Sequence, residues 1–339
     1  MNCFGNLFKS RKKEKPESDG HKFIKYGVLV SELRHHMLTY LYSVTLLSYS
    51  QCSKFCNLEV RKFNTKAPKL LMLTEKDDGG ILVEFSYSKV YEQERERWTY
   101  PDCIEKKFLF STFEETMEKA EEYVLDLYRY VKKGKTEELR IKLPTWPKKI
   151  MQTISFLDIG KMFVHIQNSM LDDFVEFAKN STTCVKSLSL LQINEPNRIQ
   201  SKIKQVFNTA FFQQLTELYI SLNLEINIDD FLCFKAPKTT VLLKHCQISD
   251  DAIRQKVAQI NNRPEKQEIL IIVPNYRTRE FDLAVMFPGV NPEEQGLFSG
   301  SYVIGNVRIS TSNRGKHLKI QKFTDVFMRL IRMVDGAVV

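Results

Sequence analysis

Residues 241–260, VLLKHCQISDDAIRQKVAQI, contain the pattern that decides how most of this 339-residue chain is expected to fold. Val241 and Leu243 alternate with their neighbours as in a short strand, and after Asp250 and Asp251 the apolar residues recur every three to four positions, as in a helix. One such unit cannot bury its own apolar side, whereas several units stacked side by side can share a continuous core.

The same order of strand, turn and helix recurs along the chain. Starts at Leu188, Leu218, Val241 and Ile269 are spaced by roughly 23 to 30 residues, and residues 241–248 have the LxLxxCxI spacing of a leucine-rich repeat. We therefore expect an irregular leucine-rich-repeat-like array whose aligned strands form a recognition surface. The strands are predicted at Leu139, Ile141 and Leu143; Val185, Leu188 and Leu190; Leu215, Leu218 and Ile220; Val241 and Leu243; and Ile269, Ile271 and Val273.

Two apolar runs lie upstream, on either side of Asp77, Asp78, Gly79 and Gly80, and predict a β-hairpin. A further strand is expected at residues 107–110. The next segment should be an amphipathic helix that begins at a capping box and ends at glycine. Its residues are Thr112 and Glu115 in the box, Phe113, Met117, Ala120, Val124, Leu127 and Val131 on the apolar stripe, and Gly134 at the end.

The C-terminal region predicts a second hairpin, with alternating runs around Asn313 and Gly315, which would cap the array. Pairs of aspartates recur at helix starts: Asp172 and Asp173, Asp229 and Asp230, Asp250 and Asp251. Paired carboxylates can bind metals or transfer protons, but no His, Ser or Cys accompanies these pairs at a motif spacing. We expect them to cap helices.

Composition separates three regions. Residues 1–20 are a flexible leader, residues 24–62 a short helical module and residues 68–339 the repeat-like region. The leader contains Lys9, Arg11, Lys12, Lys13 and Lys15. The net charge is +9, but basic and acidic residues are interspersed along most of the chain, so we expect no nucleic-acid partner. Seven cysteines without a CxxC pair fit a reducing compartment. No run approaches the ~20 apolar residues that span a bilayer, so we expect no integral membrane association and a cytoplasmic or nuclear location.

Residues 29–58, LVSELRHHMLTYLYSVTLLSYSQCSKFCNL, predict three short helices with capping serines at Ser31, Ser43 and Ser50. Helices this short cannot hide all their apolar side chains among themselves. The stretches LVSELRHHMLTYL and SQCSKF resemble an F-box, although Val30 stands where that family usually has proline, whose fixed φ preorganises the segment. A plain three-helix bundle packed on the rest of the chain fits the same periodicity.

The F-box resemblance implies a contact with the Skp-type linker of a cullin-based ubiquitin ligase, through Leu29, Glu32, Leu33, Met37, Leu41, Leu46, Leu47 and Cys52. Residues 68–339 are similar to the F-box-associated or FTH-type regions of nematode F-box proteins, in NIDDFLCF, LLKHCQISDDAI and the terminal hairpin. That similarity implies a region that selects a protein substrate. The expected fold is α+β or α/β, with a three-helix F-box-like module, the repeat-like array and the hairpin cap.

Sequence motifs of nucleotide binding, hydrolysis and metal-dependent catalysis are absent, namely GxxxxGK[ST], GxGxxG after a strand, GxSxG, HExxH and CxxC. We therefore expect no enzyme, no cofactor and no metal site. The leading hypothesis is an adaptor that recruits a protein substrate to an SCF-type ubiquitin ligase. The alternative is a repeat-type interaction protein without ligase association, which its basic leader directs to the nucleus or to a membrane.

Overall fold

The computed structural model describes residues 67–87, 90–92, 97–99, 103–129, 131, 134–192, 198–243, 248–273, 280–292, 300–312 and 316–322. Among these residues, twelve strands form one sheet, and a short hairpin of β3 (Val90–Glu92) and β4 (Arg97–Thr99) stands apart. The sheet strands are β1 (Leu70–Glu75), β2 (Ile81–Ser86), β5 (Ile104–Phe108), β6 (Lys135–Lys142), β7 (Asp158–His165), β8 (Val185–Leu191), β9 (Glu217–Ser221), β10 (Lys238–Leu242), β11 (Glu268–Ile272), β12 (Tyr302–Ile304), β13 (Val307–Ser312) and β14 (His317–Lys322).

The strands are arranged in the order β12-β13-β14-β11-β10-β9-β8-β7-β6-β1-β2-β5. From β6 to β11 each strand pairs in parallel with the next strand along the chain, and β1 joins β6 in the same direction. Antiparallel strands complete both edges: β2 and β5 on one side, β14, β13 and β12 on the other. The sheet therefore grows in chain order through its centre.

Helical segments connect the central strands. They are α1 (Phe113–Tyr128), α2 (Lys148–Thr153), a 3-10 helix and α3 (Asn168–Met170 and Leu171–Asn180), a second 3-10 helix and α4 (Ser201–Asn208 and Ala210–Gln213), α5 (Ile228–Leu232) and α6 (Asp250–Asn261); α7 (Leu283–Met286) follows β11. A parallel connection needs such a crossover, because a tight turn can join only antiparallel strands.

Two rows of apolar side chains run across the sheet and form its core. In the register of the strands, one row contains Leu71, Leu139, Met162, Leu188, Leu218, Thr239, Ile269 and Ile320, and the other contains Leu73, Ile141, Val164, Leu190, Ile220, Val241, Ile271 and Leu318. All are buried, and all but the polar Thr239 belong to one cluster with apolar residues of the helices such as Val124, Phe174 and Val257. The helices therefore cover this face.

The mixed α/β fold class expected from the sequence is confirmed, and both hairpins are present. A strand lies at each of the five positions predicted between Leu139 and Val273, but Leu143, Leu215, Leu243 and Val273 fall outside the strand bounds. The prediction for residues 107–110 is wrong in its bounds: β5 ends at Phe108, and Leu109 and Phe110 are exposed. The helix after Thr112 ends at Tyr128 instead of continuing to Gly134, although Val131 is buried.

Strand β7 was not predicted from the sequence. Its buried residues Ile159, Met162 and Val164 have the same spacing as Val185, Leu188 and Leu190 on β8, which was predicted, so the spacing does not explain why β7 was missed. Gly160 on this strand lies against the backbone of Glu137 on β6: a Cβ atom added there would be 2.6 Å from the Glu137 carbonyl oxygen. Glycine therefore permits the two strands to approach each other closely at this point.

Candidate functional site

The second face of the central sheet carries the residues that alternate with the buried rows. In register across the sheet these are Arg140, Phe163, Ser189, Tyr219, Thr240, Leu270 and Lys319. All but Ser189 are half-buried or exposed, whereas residues on the helix-covered side of the same strands are buried. We call this side the open face. It is formed by secondary structure alone, so its side chains are held on a rigid support.

Three residues in the middle of the open face form a slot. Phe163 on β7 and Tyr219 on β9 stand on either side of Ser189 on β8, at the same level of the register. Both aromatic side chains are half-buried, and Ser189, between them, is 8% exposed. Because a small residue separates two large ones, the sheet has a shallow depression of about 420 Å³ here, with Ser187 also in its lining.

Charged side chains border the depression. Lys161 and Lys238 line it on opposite sides, and the Lys238 ammonium lies 3.8 Å from a carboxylate oxygen of Glu217. Lys161 has no ion pair or hydrogen bond among the residues that the structure describes, and the same is true of Lys142 on the adjacent strand β6. Glu138 lies opposite Lys161 in the register but pairs with Arg140, so among the described residues neither Lys161 nor Lys142 has an acidic partner.

The side chain of Phe163 is also supported from β6. The guanidinium carbon of Arg140 lies 5.3 Å from the centre of the Phe163 ring, within the range of a cation–π contact, and Arg140 forms an ion pair with Glu138. Close by, the pKa of His165 is lowered by burial and by the positive charges of Lys142 and Arg140. The imidazole is therefore expected to be neutral at pH 7.

A second depression of similar volume, about 420 Å³, lies on the helix side. Its apolar wall consists of Trp146 and Phe177, whose ring centres are 5.0 Å apart. The ammonium of Lys148 lies 2.8 Å from a carboxylate oxygen of Asp173 beside it. Its lining also includes the hydroxyl side chains of Ser155, Ser181 and Thr182 and the carboxylate of Glu176, but no histidine or cysteine.

The aspartate pairs lie in the first turns of helices, as predicted. The side chain of Asn227 accepts a hydrogen bond from the Asp230 amide, and the Asp230 carboxylate accepts one from the Asn227 amide, so α5 begins with a capping box. Ser249 caps α6. Where the structure describes the chain, no three His, Cys, Asp or Glu side chains come together as a metal site would require, and no helix is long and apolar enough to cross a bilayer.

The eight residues predicted to contact a linker protein lie outside the described residues: Leu29, Glu32, Leu33, Met37, Leu41, Leu46, Leu47 and Cys52. Cys246, in the clearest repeat, also lies outside them. The structure instead brings together a group that the sequence analysis did not single out, namely Phe163, Ser189 and Tyr219 with Lys161, while Lys142 lies on the same face near His165. The signal that could have found this group is a small residue between two large ones at the same level of three successive strands. It can be recognised only when the register of the strands is known.

No family model, no curated protein and no solved structure matches the chain.

Proposed function

We propose that the protein is a substrate-recruiting adaptor of an SCF-type cullin ubiquitin ligase, in which the F-box-like residues 24–62 bind a Skp-type linker and the open face binds a protein substrate. The observation that carries the substrate-binding half is the aromatic slot between Phe163 and Tyr219, on a rigid sheet face where Lys161 has no acidic partner among the described residues. Aromatic groups in a shallow depression with a polar border are typical of protein-binding surfaces.

We further propose that β6 to β11 and their connections form a degenerate leucine-rich-repeat-like array. Support comes from the order of the strands: each is parallel to the next along the chain and contributes two residues to the same buried rows, as Leu188 and Leu190 do on β8. In such arrays the strands line one surface and helices cover the other. This arrangement leaves a parallel sheet open on one face, which is unusual for other folds.

The linker-binding half rests on the resemblance of residues 29–58 to an F-box. Its test is co-purification of the full chain with a Skp-type linker. Leu33→Asp and Leu41→Asp should each abolish the association, because a buried carboxylate at an apolar contact is costly. His35→Asp is the matched control: it introduces the same charge away from the apolar stripe, so binding should persist. Unchanged association in both leucine variants would refute the adaptor function.

A second candidate function is supported by the leader, which contains five Lys and Arg residues between positions 9 and 15. In this alternative the chain binds proteins through the open face without a ligase, and the leader directs it to the nucleus or to a membrane with anionic lipids. Deletion of residues 1–20 separates the two. A changed location in a chain that does not co-purify with the linker favours the alternative, whereas an unchanged location with the linker bound favours the adaptor.

A further inference from the structure

The slot on the open face has the dimensions of a site for one side chain. Neighbouring strands in a sheet lie about 4.8 Å apart, so the backbones beneath Phe163 and Tyr219 are separated by about 10 Å. The side chain between them, Ser189, is far smaller than the aromatic groups on either side. Since the depression is shallow and open to solvent, it fits a side chain projecting from a polypeptide better than an enclosed small molecule.

The two walls of the slot differ in chemistry. Phe163 presents an apolar ring, which Arg140 holds from the opposite side. Tyr219 presents a ring with a hydroxyl group, and burial raises the pKa of this phenol, so the hydroxyl stays protonated and can donate a hydrogen bond. An aromatic side chain with a polar edge, such as that of tryptophan, would therefore satisfy both walls and would bury apolar surface on each side.

The charges around the slot determine which residues of a bound peptide should flank the inserted side chain. Lys161 precedes Phe163 by two positions on β7, so both project from the open face, and Lys142 lies on β6 two positions beyond Arg140. Neither ammonium group has a partner among the described residues. Glu217, the acidic residue in the lining, is already beside Lys238. Glu138, opposite Lys161 in the register, pairs with Arg140. Within the described part of the chain the two lysines are thus left without an acidic partner, and they would attract carboxylates.

We propose that the segment recognised on the open face is an acidic peptide, which inserts one apolar, preferably aromatic, side chain between Phe163 and Tyr219 and places carboxylates against Lys161 and Lys142. This inference rests on the proposed protein-binding function and names the class of partner. The inserted side chain supplies most of the affinity, because aromatic contacts in a central depression are the usual anchors of an interface. The exposed lysines supply selectivity and speed of association.

The test is fluorescence anisotropy of the full chain with a labelled seven-residue acidic peptide that has tryptophan at its centre. Three other probes have the same label: a peptide with alanine at the centre, a peptide with lysines in place of the acidic residues, and a single-stranded oligonucleotide. We expect the first peptide to bind, the alanine peptide to bind about tenfold more weakly or worse, and the lysine peptide and the oligonucleotide to show no comparable binding. Binding should weaken as salt rises.

Matched variants locate the binding. Phe163→Ala and Lys161→Glu should each weaken binding by about tenfold, whereas Leu270→Ala and Lys319→Glu, which change the same face outside the slot, should leave it within about twofold. Ser189→Trp should fill the slot and abolish binding. Circular dichroism and thermal unfolding check that each variant folds. If Phe163→Ala fails this check, Lys161→Glu still decides, since Lys161 is exposed.

The proposal is overturned if the lysine peptide or the oligonucleotide binds as tightly as the acidic peptide, if no peptide binds, or if Lys161→Glu and Ser189→Trp leave binding unchanged. These outcomes are distinct from failure of the adaptor function. A chain that binds the peptide in the slot but not the linker refutes the ligase role alone, and a chain that binds the linker but does not discriminate among the peptides refutes the slot alone.

Discussion

The side-chain nitrogen of Lys256 lies 2.6 Å from the carbonyl oxygen of Phe234, and the lysine side chain is completely buried. The same nitrogen donates to the side-chain oxygen of Gln259 at 2.8 Å and, at 3.4 Å, to the carbonyl oxygen of Leu232, the last residue of α5. Lys256 therefore joins α6 to the end of α5. Burial, with a smaller contribution from the charge of Arg263, lowers the pKa of Lys256 to about 7.

The lowered pKa of Lys256 makes stability depend on pH. Because an unfolded lysine keeps its proton up to about pH 10.4, the unfolded chain binds more protons than the folded one between pH 7 and 10. We expect the free energy of unfolding to rise with pH in this window, by at most about 1.4 kcal/mol per pH unit from this group. The three acceptors around the ammonium favour the charged form and so reduce the slope.

Urea denaturation at pH 7, 8 and 9 checks the prediction by comparing the natural chain with Lys256→Met. The variant should lose the Lys256 contribution to the slope. The Phe234 carbonyl oxygen should not be left without a donor in the variant, because it also accepts a hydrogen bond from the side-chain amide of Gln267 at 2.9 Å. Lys186→Met, at an exposed position, should keep the natural slope. Equal slopes in all three proteins would show that Lys256 does not titrate in this range.

The sequence predicted the parts of the fold that depend on local patterns. Residues 77–80 indicated the turn between β1 and β2. In the structure Gly79 has a positive φ of 76° there, a conformation that favours glycine. Thr112 indicated the start of α1, where its hydroxyl oxygen accepts a hydrogen bond from the backbone amide of Glu115. In each case the residues that determine the structure are a few positions apart, so no knowledge of the tertiary structure is needed.

The open face and its slot depend on the register between distant strands, and for that reason could not be derived from the sequence. Phe163, Ser189 and Tyr219 come from three units of the chain and meet only through the pairing of β7, β8 and β9. The strand that carries Phe163 was itself missed, although its buried residues have the same spacing as those of β8. A half-buried aromatic residue gives no local signal that separates a binding surface from the core.

Leu188 lies in a buried row of the sheet and touches the core on all sides, so its truncation should be costly. We expect Leu188→Ala to lower the free energy of unfolding by about 2 to 5 kcal/mol, because it leaves a cavity in a continuous core. Leu109→Ala removes the same atoms at a position that is 55% exposed and should change stability by less than about 0.5 kcal/mol. Urea denaturation measures both; similar losses would contradict the assignment of the two positions.

Gly160 permits the close approach of β6 and β7, so a methyl group there should separate the strands. We expect Gly160→Ala to destabilise the fold by about 1 to 3 kcal/mol, since its Cβ atom would lie 2.6 Å from the backbone oxygen of Glu137. Ser187→Ala, on the next strand, should have little effect because its side chain faces the open side. Thermal unfolding compares the two, and an unchanged midpoint for Gly160→Ala would mean that the strands can move apart without cost.

The field of Lys142 and Arg140 at His165 can be measured directly. Burial lowers the pKa of His165 most, and the charges of Lys142 and Arg140 lower it further, because burial and nearby positive charge both disfavour the protonated imidazole. We expect Lys142→Gln to raise the His165 pKa towards its ordinary value without fully restoring it, since burial and Arg140 remain. Nuclear magnetic resonance titration of the imidazole protons, assigned with His165→Gln, provides the measurement.

Lys319→Gln removes a lysine from the far side of the same face and should leave the His165 pKa unchanged. A bound acidic peptide should act in the same direction as Lys142→Gln, because its carboxylates offset the positive field and make the imidazolium less costly. The pKa of His165 then reports occupancy of the slot without a label. If the His165 pKa stays constant in Lys142→Gln, the Lys142 ammonium does not influence the imidazole, and its place beside the proposed site is contradicted.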